Sequence, residues 1–76
     1  MMETVKDVLE QFKNSEQTKP DLIQLRLENN NYIYLECAFS GHKYFNQDLL
    51  NRNVLGFSTL RSSNGRILRI YIEEQL

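Results

Sequence analysis

The second half of the chain has two stretches of alternating apolar and polar residues, one on either side of Asn64-Gly65. Asn and Gly both tolerate positive φ, so this dipeptide between two strand-like stretches predicts a β-hairpin with a two-residue type I′ turn. Pairing Ser63 with Arg66 across the turn brings the apolar positions to one face, which we expect to form the core. The expected pairs on that face are Phe57 with Ile72, Thr59 with Ile70, and Arg61 with Leu68.

The other face of this hairpin mixes aliphatic, aromatic and charged side chains, because successive residues of a strand point to opposite sides. It carries Ser58, Leu60, Ile67, Arg69, Tyr71 and Glu73. Such a surface suits either solvent or a partner, and we expect function to reside there. Gly56 interrupts the first strand and predicts a bulge or a close backbone approach.

A similar alternation surrounds the three asparagines at 29–31 and predicts a first hairpin between residues 22 and 39. Its core face consists of Ile23, Leu25, Leu27, Ile33, Leu35, Cys37 and Phe39. A two-residue loop would pair Leu27 with an outward-facing Tyr, whereas a three-residue loop keeps apolar residues together. The three-residue loop pairs Leu25 with Leu35 and Leu27 with Ile33. We expect the loop to end at Asn31 in the left-handed region.

The outer face of the first hairpin is polar and aromatic. It carries Gln24, Arg26, Glu28, Tyr32, Tyr34 and Glu36. The register expected for this hairpin places Arg26 opposite Tyr34, where a guanidinium can stack on an aromatic ring.

Residues 4–14 have the spacing of an amphipathic helix, with apolar side chains at i, i+3, i+4 and i+7. These are Val5, Val8, Leu9 and Phe12. Thr4 is expected to cap the helix by accepting from the backbone N–H of Asp7. Pro20 then favours entry into an extended strand, because it restricts the residue before it.

The segment between the hairpins, residues 40–53, has the least regular pattern. Ser40-Gly41 indicates a turn, and the residues from Gln47 to Arg52 favour one or two helical turns capped by Asn46. A short strand at residues 42–45 is the alternative. The chain is therefore predicted to be a single α+β domain, residues 1–76, in which an N-terminal amphipathic helix packs on a four-stranded, mainly antiparallel sheet built from two β-hairpins with a short irregular or helical link between them.

The 76-residue chain is 41% hydrophobic and 25% charged, which is ordinary for a globular domain and argues against disorder. Its net charge of −1 supplies no overall field that would attract nucleic acid or an anionic membrane. The single cysteine, Cys37, excludes an intramolecular disulfide, and no stretch has the length of a membrane span. A cytoplasmic protein without membrane association is expected.

No catalytic constellation is recognisable. Cys37 and His42 are a thiol and an imidazole five residues apart, but Cys37 is in register with the core positions. The carboxylates Glu28, Glu36, Glu73 and Glu74 fall on outward positions or at the terminus. Ligand pairs typical of a metal site and glycine patterns typical of a phosphate loop are missing, so we predict no enzyme, metal or cofactor. The remaining catalytic alternative is a site assembled across subunits with His42 as the base.

The leading functional hypothesis is a small non-catalytic protein-binding module, such as an inhibitor, adaptor or accessory factor. Tyr and Arg are enriched at the energetic centres of protein interfaces. The predicted binding residues are Arg26, Tyr32, Tyr34, Arg69 and Tyr71 on the outer sheet face. The partner is either another protein, of a kind the sequence does not indicate, or a second copy in a homodimer.

The alternative hypothesis is a nucleic-acid-binding protein, because residues 40–76 carry five bases and three acids whereas residues 1–39 carry four bases and seven acids. Arg61, Arg66 and Arg69 are close to the tip of the second hairpin and are suited to contact phosphates. Three arginines are few, and a pI of about 5.7 is far from that of typical nucleic-acid-binding domains. Nucleic acid is therefore the less favoured partner. None of these patterns matches the motif of a known family.

Overall fold

The structure is a computed structural model that describes residues 3–14, 19–27 and 32–73. It confirms the predicted α+β class, with an N-terminal helix and a four-stranded sheet that contains two hairpins. The described elements are helix α1 (Val5–Lys13), strands β1 (Leu22–Leu27) and β2 (Tyr32–Ala38), a 3-10 helix (Phe39–Tyr44), helix α2 (Gln47–Leu50), and strands β3 (Val54–Ser62) and β4 (Gly65–Ile72).

Helix α1 begins as its sequence predicts. The backbone N–H of Asp7 donates to Thr4 Oγ1 at 3.3 Å, and the backbone N–H of Thr4 donates to Asp7 Oδ2 at 3.1 Å. This reciprocal capping box satisfies two N–H groups that the first turn leaves without helical partners. Val5, Val8 and Leu9 are buried under the helix, and Phe12 packs at the edge of the core.

The strands are arranged in the order β2-β1-β4-β3, and the central pair, β1 and β4, is parallel. Both hairpins are antiparallel, so the sheet is mainly antiparallel but mixed. The central pairing begins with Leu22 opposite Ile67. Asp21 extends it, since its backbone N–H donates to Arg66 O at 2.8 Å and its Oδ2 accepts from the backbone N–H of Arg66 at 3.0 Å.

The predicted register of the first hairpin is correct for only part of its length. Leu25 pairs with Leu35 as expected, but Arg26 pairs with Ile33 and Leu27 pairs with Tyr32. The predicted pairs of Leu27 with Ile33 and of Arg26 with Tyr34 are therefore wrong. The reason is a β-bulge in which one extra residue of β2 opposes a regular strand, which reverses the alternation beyond it. The predicted loop at 29–31, including Asn31, lies outside the described residues.

The second hairpin turns at Ser63-Asn64, one residue earlier than predicted, and Ser62 pairs with Gly65. Gly65 is predicted to lie within the turn, but it is the first residue of β4. Its φ of 114° is one that glycine adopts readily. The register is consequently shifted by two residues, and the pairs on the inner side are Phe57 with Ile70, Thr59 with Leu68, and Arg61 with Arg66. A shift of two preserves the faces, because side chains alternate with a period of two. The predicted bulge at Gly56 is confirmed.

The middle segment is helical. Asn46 Oδ1 accepts from the backbone N–H of Leu49 at 2.9 Å, which confirms Asn46 as the cap of α2. The alternative prediction of a strand at 42–45 is wrong. Residues 42–44 lie in the 3-10 helix, and the backbone N–H of Phe45 donates to His42 O at its end. Phe39, predicted as the last core position of β2, begins the 3-10 helix and is nevertheless buried.

The core lies between the helical segments and one face of the sheet, called here the inner face. Its buried residues are Val5, Val8, Leu9, Ile23, Leu25, Phe39, Val54, Leu68, Ile70 and Ile72. Strand β3 lies at the edge of this layer, so Phe57 remains partly exposed and packs edge-on against Phe12 at 5.7 Å between ring centroids. The opposite side of the sheet, the outer face, carries no helix among the described residues.

Candidate protein-binding face of the sheet

One end of the outer face is apolar. The strand register aligns Ala38, Leu22, Ile67 and Leu60 side by side across all four strands, a set called here the apolar row. Ile67 at its centre is 9% exposed, and Leu22 and Leu60 on either side are half-buried. Aliphatic side chains on four adjacent strands form a continuous surface, because neighbouring strands lie only about 4.8 Å apart.

The next row across the outer face is polar and centres on Gln24, which is only 6% exposed. Gln24 Nε2 donates to Glu36 Oε2 at 2.7 Å. Gln24 Oε1 accepts from Arg26 Nε at 2.8 Å and from Arg69 Nε at 3.0 Å. These four side chains, Gln24, Arg26, Glu36 and Arg69, are called here the Gln24 network.

The orientation of the Gln24 amide follows from the chemistry of its neighbours. Guanidinium groups only donate hydrogen bonds and an ionised carboxylate only accepts them, so the amide oxygen faces the arginines and the amide nitrogen faces Glu36. Among the described residues, no buried side-chain nitrogen or oxygen lacks a hydrogen-bond partner. A fully satisfied buried amide holds its neighbours in fixed positions.

The third row contains Tyr71 at its centre. Tyr71 pairs with Arg26 on one side and with Gly56 on the other. A Cβ at Gly56 would meet no atom within 4 Å, so open space lies beside the half-buried Tyr71. Ile33 extends this row, because the bulge in β2 brings it to the outer face beside Arg26.

The outer face thus brings together three of the predicted protein-binding residues, Arg26, Arg69 and Tyr71. Tyr34 lies elsewhere, because the bulge places it with Leu35 on the inner side of β2, where Arg52 Cζ is 5.3 Å from its ring centroid. The side chain of Tyr32 lies outside the described part of the chain.

The arginines predicted for nucleic-acid binding are divided between the two faces. Arg61 and Arg66 pair across the second hairpin on the inner side, where they line an open cleft with Lys19 and Asp21. Arg69 belongs to the Gln24 network on the outer face. Lys19 could not be assigned to this cluster from the sequence, because parallel pairing of β1 with β4 brings it there.

The thiol of Cys37 is partly buried and packs against the core. Burial raises the pKa of the Cys37 thiol, which favours the uncharged form over the nucleophilic thiolate. His42 Nδ1 lies 2.7 Å from Phe39 O, and its ring centroid is 4.9 Å from that of Phe39. Within the described ranges, no three His, Cys, Asp or Glu side chains could together hold a metal ion, and no helix is long and apolar enough to cross a membrane.

The carboxylates considered as acids or bases take structural roles where they are described. Glu36 belongs to the Gln24 network, and Glu73 Oε2 accepts from Asn53 Nδ2 at 3.2 Å. Glu28 and Glu74 lie outside the described residues. Alternation marked Gln24 only as an outward position, and its central role depends on strand pairing that alternation does not reveal.

Comparisons with family models, with curated proteins and with solved structures found no match for this chain.

Proposed function

We propose that the protein is a non-catalytic protein-binding module of the cytoplasm, acting as an inhibitor, adaptor or accessory factor, and that it binds its partner through the outer face. One observation carries this proposal: an apolar row lies directly beside arginines that a buried glutamine holds in place. Interfaces combine an apolar centre with Tyr and Arg anchors in the same way.

The hydrogen bonds of Gln24 bear on the affinity of such a surface. Immobilising a flexible side chain on binding costs about 0.5–1.5 kcal/mol. Arg26 and Arg69 are already restrained, since the Nε of each donates to Gln24 Oε1. Part of the entropic cost of binding is therefore met when the protein folds.

The proposal is tested by affinity capture from the native host with matched tyrosine variants. Tyr71→Ala removes the aromatic side chain of the outer face, whereas Tyr44→Ala and Tyr34→Ala remove exposed tyrosines outside it. Proteins captured by the wild type and by both control variants should be lost with Tyr71→Ala. The same set of captured proteins with all three variants contradicts the proposal. Sedimentation of the wild type and Tyr71→Ala tests the homodimer separately.

Nucleic-acid binding is the second candidate, favoured by the approach of Lys19 to Arg61 and Arg66 around the cleft at the hairpin end. The carboxylate of Asp21 in the same cleft opposes phosphate binding, which makes this candidate the weaker one. Binding to labelled single- and double-stranded oligonucleotides should be detectable at low salt, fall steeply as salt rises and weaken with Arg61→Gln. No mobility shift at low salt contradicts it.

A further inference from the structure

We propose that the outward edge of β3 pairs antiparallel with the same edge of a second copy of this chain, so that two four-stranded sheets join into one continuous sheet. The part of this edge from Gly56 to Ser62 is called here the β3 edge. It borders the outer face without covering it, so the inference goes beyond the binding proposed for that face.

The backbone at the end of β3 directs its hydrogen-bonding groups away from the sheet. Among the described residues, no strand other than β4 pairs with β3 from Gly56 onward. The backbone N–H and C=O of Arg66 both bond to Asp21, on the β1 side of β4. Opposite residues of an antiparallel pair exchange both backbone bonds or neither. Arg61, which lies opposite Arg66, therefore directs its N–H and C=O to the open edge.

The same direction recurs at every second residue of β3. Because the bonded and non-bonded pairs alternate along an antiparallel ladder, the N–H and C=O groups of Phe57 and Thr59 also point outward. The residues of this stretch that are exposed are Phe57, Ser58, Thr59 and Arg61. A strand lying along the edge would bury them, so their exposure indicates an open edge. Such an edge is a template for pairing with another chain.

The other edge of the sheet, β2, is less suited to pairing. Proteins protect edge strands with charges, prolines and bulges. A bulge at Tyr34 interrupts the ladder inside β2, and Arg52 lies over the Tyr34 ring. In β3 the bulge is confined to the start of the strand, before Phe57, and residues 57–60 include neither a charge nor a proline.

The two ends of the β3 edge determine the register of a symmetric pair. At the start of β3 the edge is already occupied, because the backbone N–H of Val54 donates to Glu3 O at 2.8 Å. At the far end the strand finishes at Ser62. Thr59 is midway between Gly56 and Ser62, so a two-fold axis at Thr59 uses the whole edge. Since the backbone groups of Thr59 point outward, the two copies can exchange both bonds at the axis.

The side chains are compatible with this register. Thr59 lies opposite its own copy, and Thr–Thr pairs are favourable across antiparallel strands. Phe57 lies opposite Arg61 of the second copy, whose aliphatic stem can cover the exposed ring. The two Arg61 side chains are about 13 Å apart along the strands, beyond the range of strong repulsion in physiological salt. On the outer side, Leu60 is diagonal to its own copy, which extends the apolar row into the second sheet.

A second copy also meets little steric or entropic opposition. Phe57, Thr59 and Arg61 remain exposed on the inner side, so α1 leaves space above β3. A two-fold axis perpendicular to the sheet places the second α1 on the same side, beyond both β3 strands. The incoming strand is already folded, whereas a flexible segment of another protein would have to be ordered on binding.

Sedimentation equilibrium of the full chain under reducing conditions measures the association. We expect a dimer for the wild type and for Thr59→Ser, which keeps the hydroxyl group. Thr59→Lys brings two positive charges together at the axis and should raise the dissociation constant at least about 10-fold. Tyr44→Lys adds the same charge at an exposed residue of the 3-10 helix and should leave the dimer unchanged. Circular dichroism establishes that each variant is folded.

Disulfide formation locates the axis independently of stability. In a Cys37→Ala background, Thr59→Cys places two thiols at the axis, with Cα atoms about 5.5 Å apart and within reach of a disulfide. Ser58→Cys is the matched control, because the two residues 58 are diagonal neighbours about 7–8 Å apart, beyond that reach. Mild oxidation should convert Thr59→Cys to a covalent dimer on a denaturing gel and leave Ser58→Cys monomeric.

Each other outcome contradicts the pairing of β3. A wild type that remains monomeric up to about 1 mM overturns it. A dimer that tolerates Thr59→Lys and is cross-linked equally at residues 58 and 59 also overturns it. Dissociation by Tyr71→Ala but not by Thr59→Lys assigns the dimer to the outer face, which supports the proposed function instead. A monomer that loses proteins captured from the host with Thr59→Lys assigns the β3 edge to a different chain.

Discussion

Gly65 lies directly against the side chain of Asp21. A Cβ at residue 65 would be 2.9 Å from Asp21 Cγ, and its contact with Asp21 Oδ2 would be closer still. The same carboxylate accepts from the backbone N–H of Arg66, so it cannot move away without losing a hydrogen bond that connects β1 to β4. Glycine at this position serves both the turn of the second hairpin and the junction between the two hairpins.

We therefore expect Gly65→Ala to lower the free energy of unfolding by about 2 kcal/mol, combining the strain of a positive φ with the weakened Asp21 bond. Gly56→Ala is the matched control, because residue 56 has open space around its Cβ and no positive φ. The control should change stability by less than about 0.5 kcal/mol. Urea denaturation measures both variants. Equal effects at the two glycines would show that neither the φ nor the contact with Asp21 matters.

Replacing Gln24 should destabilise the sheet from its outer side. Gln24→Leu retains the side chain's approximate size but removes the partner atoms of Glu36, Arg26 and Arg69, and we expect a loss of about 1–2 kcal/mol. Ser58→Ala, on an exposed position of the same row, should stay within about 0.5 kcal/mol of the wild type. Both values come from chemical denaturation. Wild-type stability in Gln24→Leu would contradict a structural role of the network.

The capping box of α1 predicts a graded series at residue 4. Thr4→Ala should lower stability by about 1 kcal/mol, because Asp7 loses the acceptor for its backbone N–H. Thr4→Ser keeps a hydroxyl at the same place and should retain stability to within a few tenths of a kcal/mol. Thermal unfolding followed by circular dichroism gives the order wild type, Ser, Ala. A Thr4→Ser variant as unstable as Thr4→Ala would indicate that the methyl group, not the hydrogen bond, matters.

The burial of Cys37 predicts slow reaction with iodoacetamide. Because desolvation raises the pKa of the thiol in the folded state, at pH 8 the native protein holds less thiolate than the unfolded chain and should be alkylated more slowly. The same shift makes the folded state bind more protons than the unfolded state, so its contribution lowers stability as the pH rises through the unfolded pKa and is absent below it. Comparing Cys37→Ala with the wild type between pH 7 and 10 isolates this contribution. Equal alkylation rates in buffer and in denaturant would contradict it.

Local signals in the sequence were sufficient for the helix and for both hairpins. The capping residues Thr4 and Asn46 act within three residues of themselves, and alternation of apolar residues depends only on the strand itself. The class of the fold follows from these elements, since a helix and two hairpins with one apolar side each must pack together.

The register and the parallel pairing depend on more distant interactions. An inserted residue at a bulge leaves no local pattern in β2, so strict alternation predicts the wrong side of the sheet for both Ile33 and Tyr34. The two bonds between Asp21 and Arg66 and the bond between Gln24 and Arg69 join residues 45 apart in the chain. Periodicity within either hairpin could therefore reveal neither the parallel centre of the sheet nor the convergence of Arg26 with Arg69.

The Gln24 network lies across the joint between the two halves of the chain, with Arg26 supplied by β1 and Arg69 by β4. A molecule that binds both guanidinium groups consequently also holds the two hairpins together. It binds only when the hairpins are assembled, and it raises the free energy of separating them by mass action. Binding should therefore slow amide hydrogen exchange along the β1 and β4 backbones, including at positions that the bound molecule does not contact.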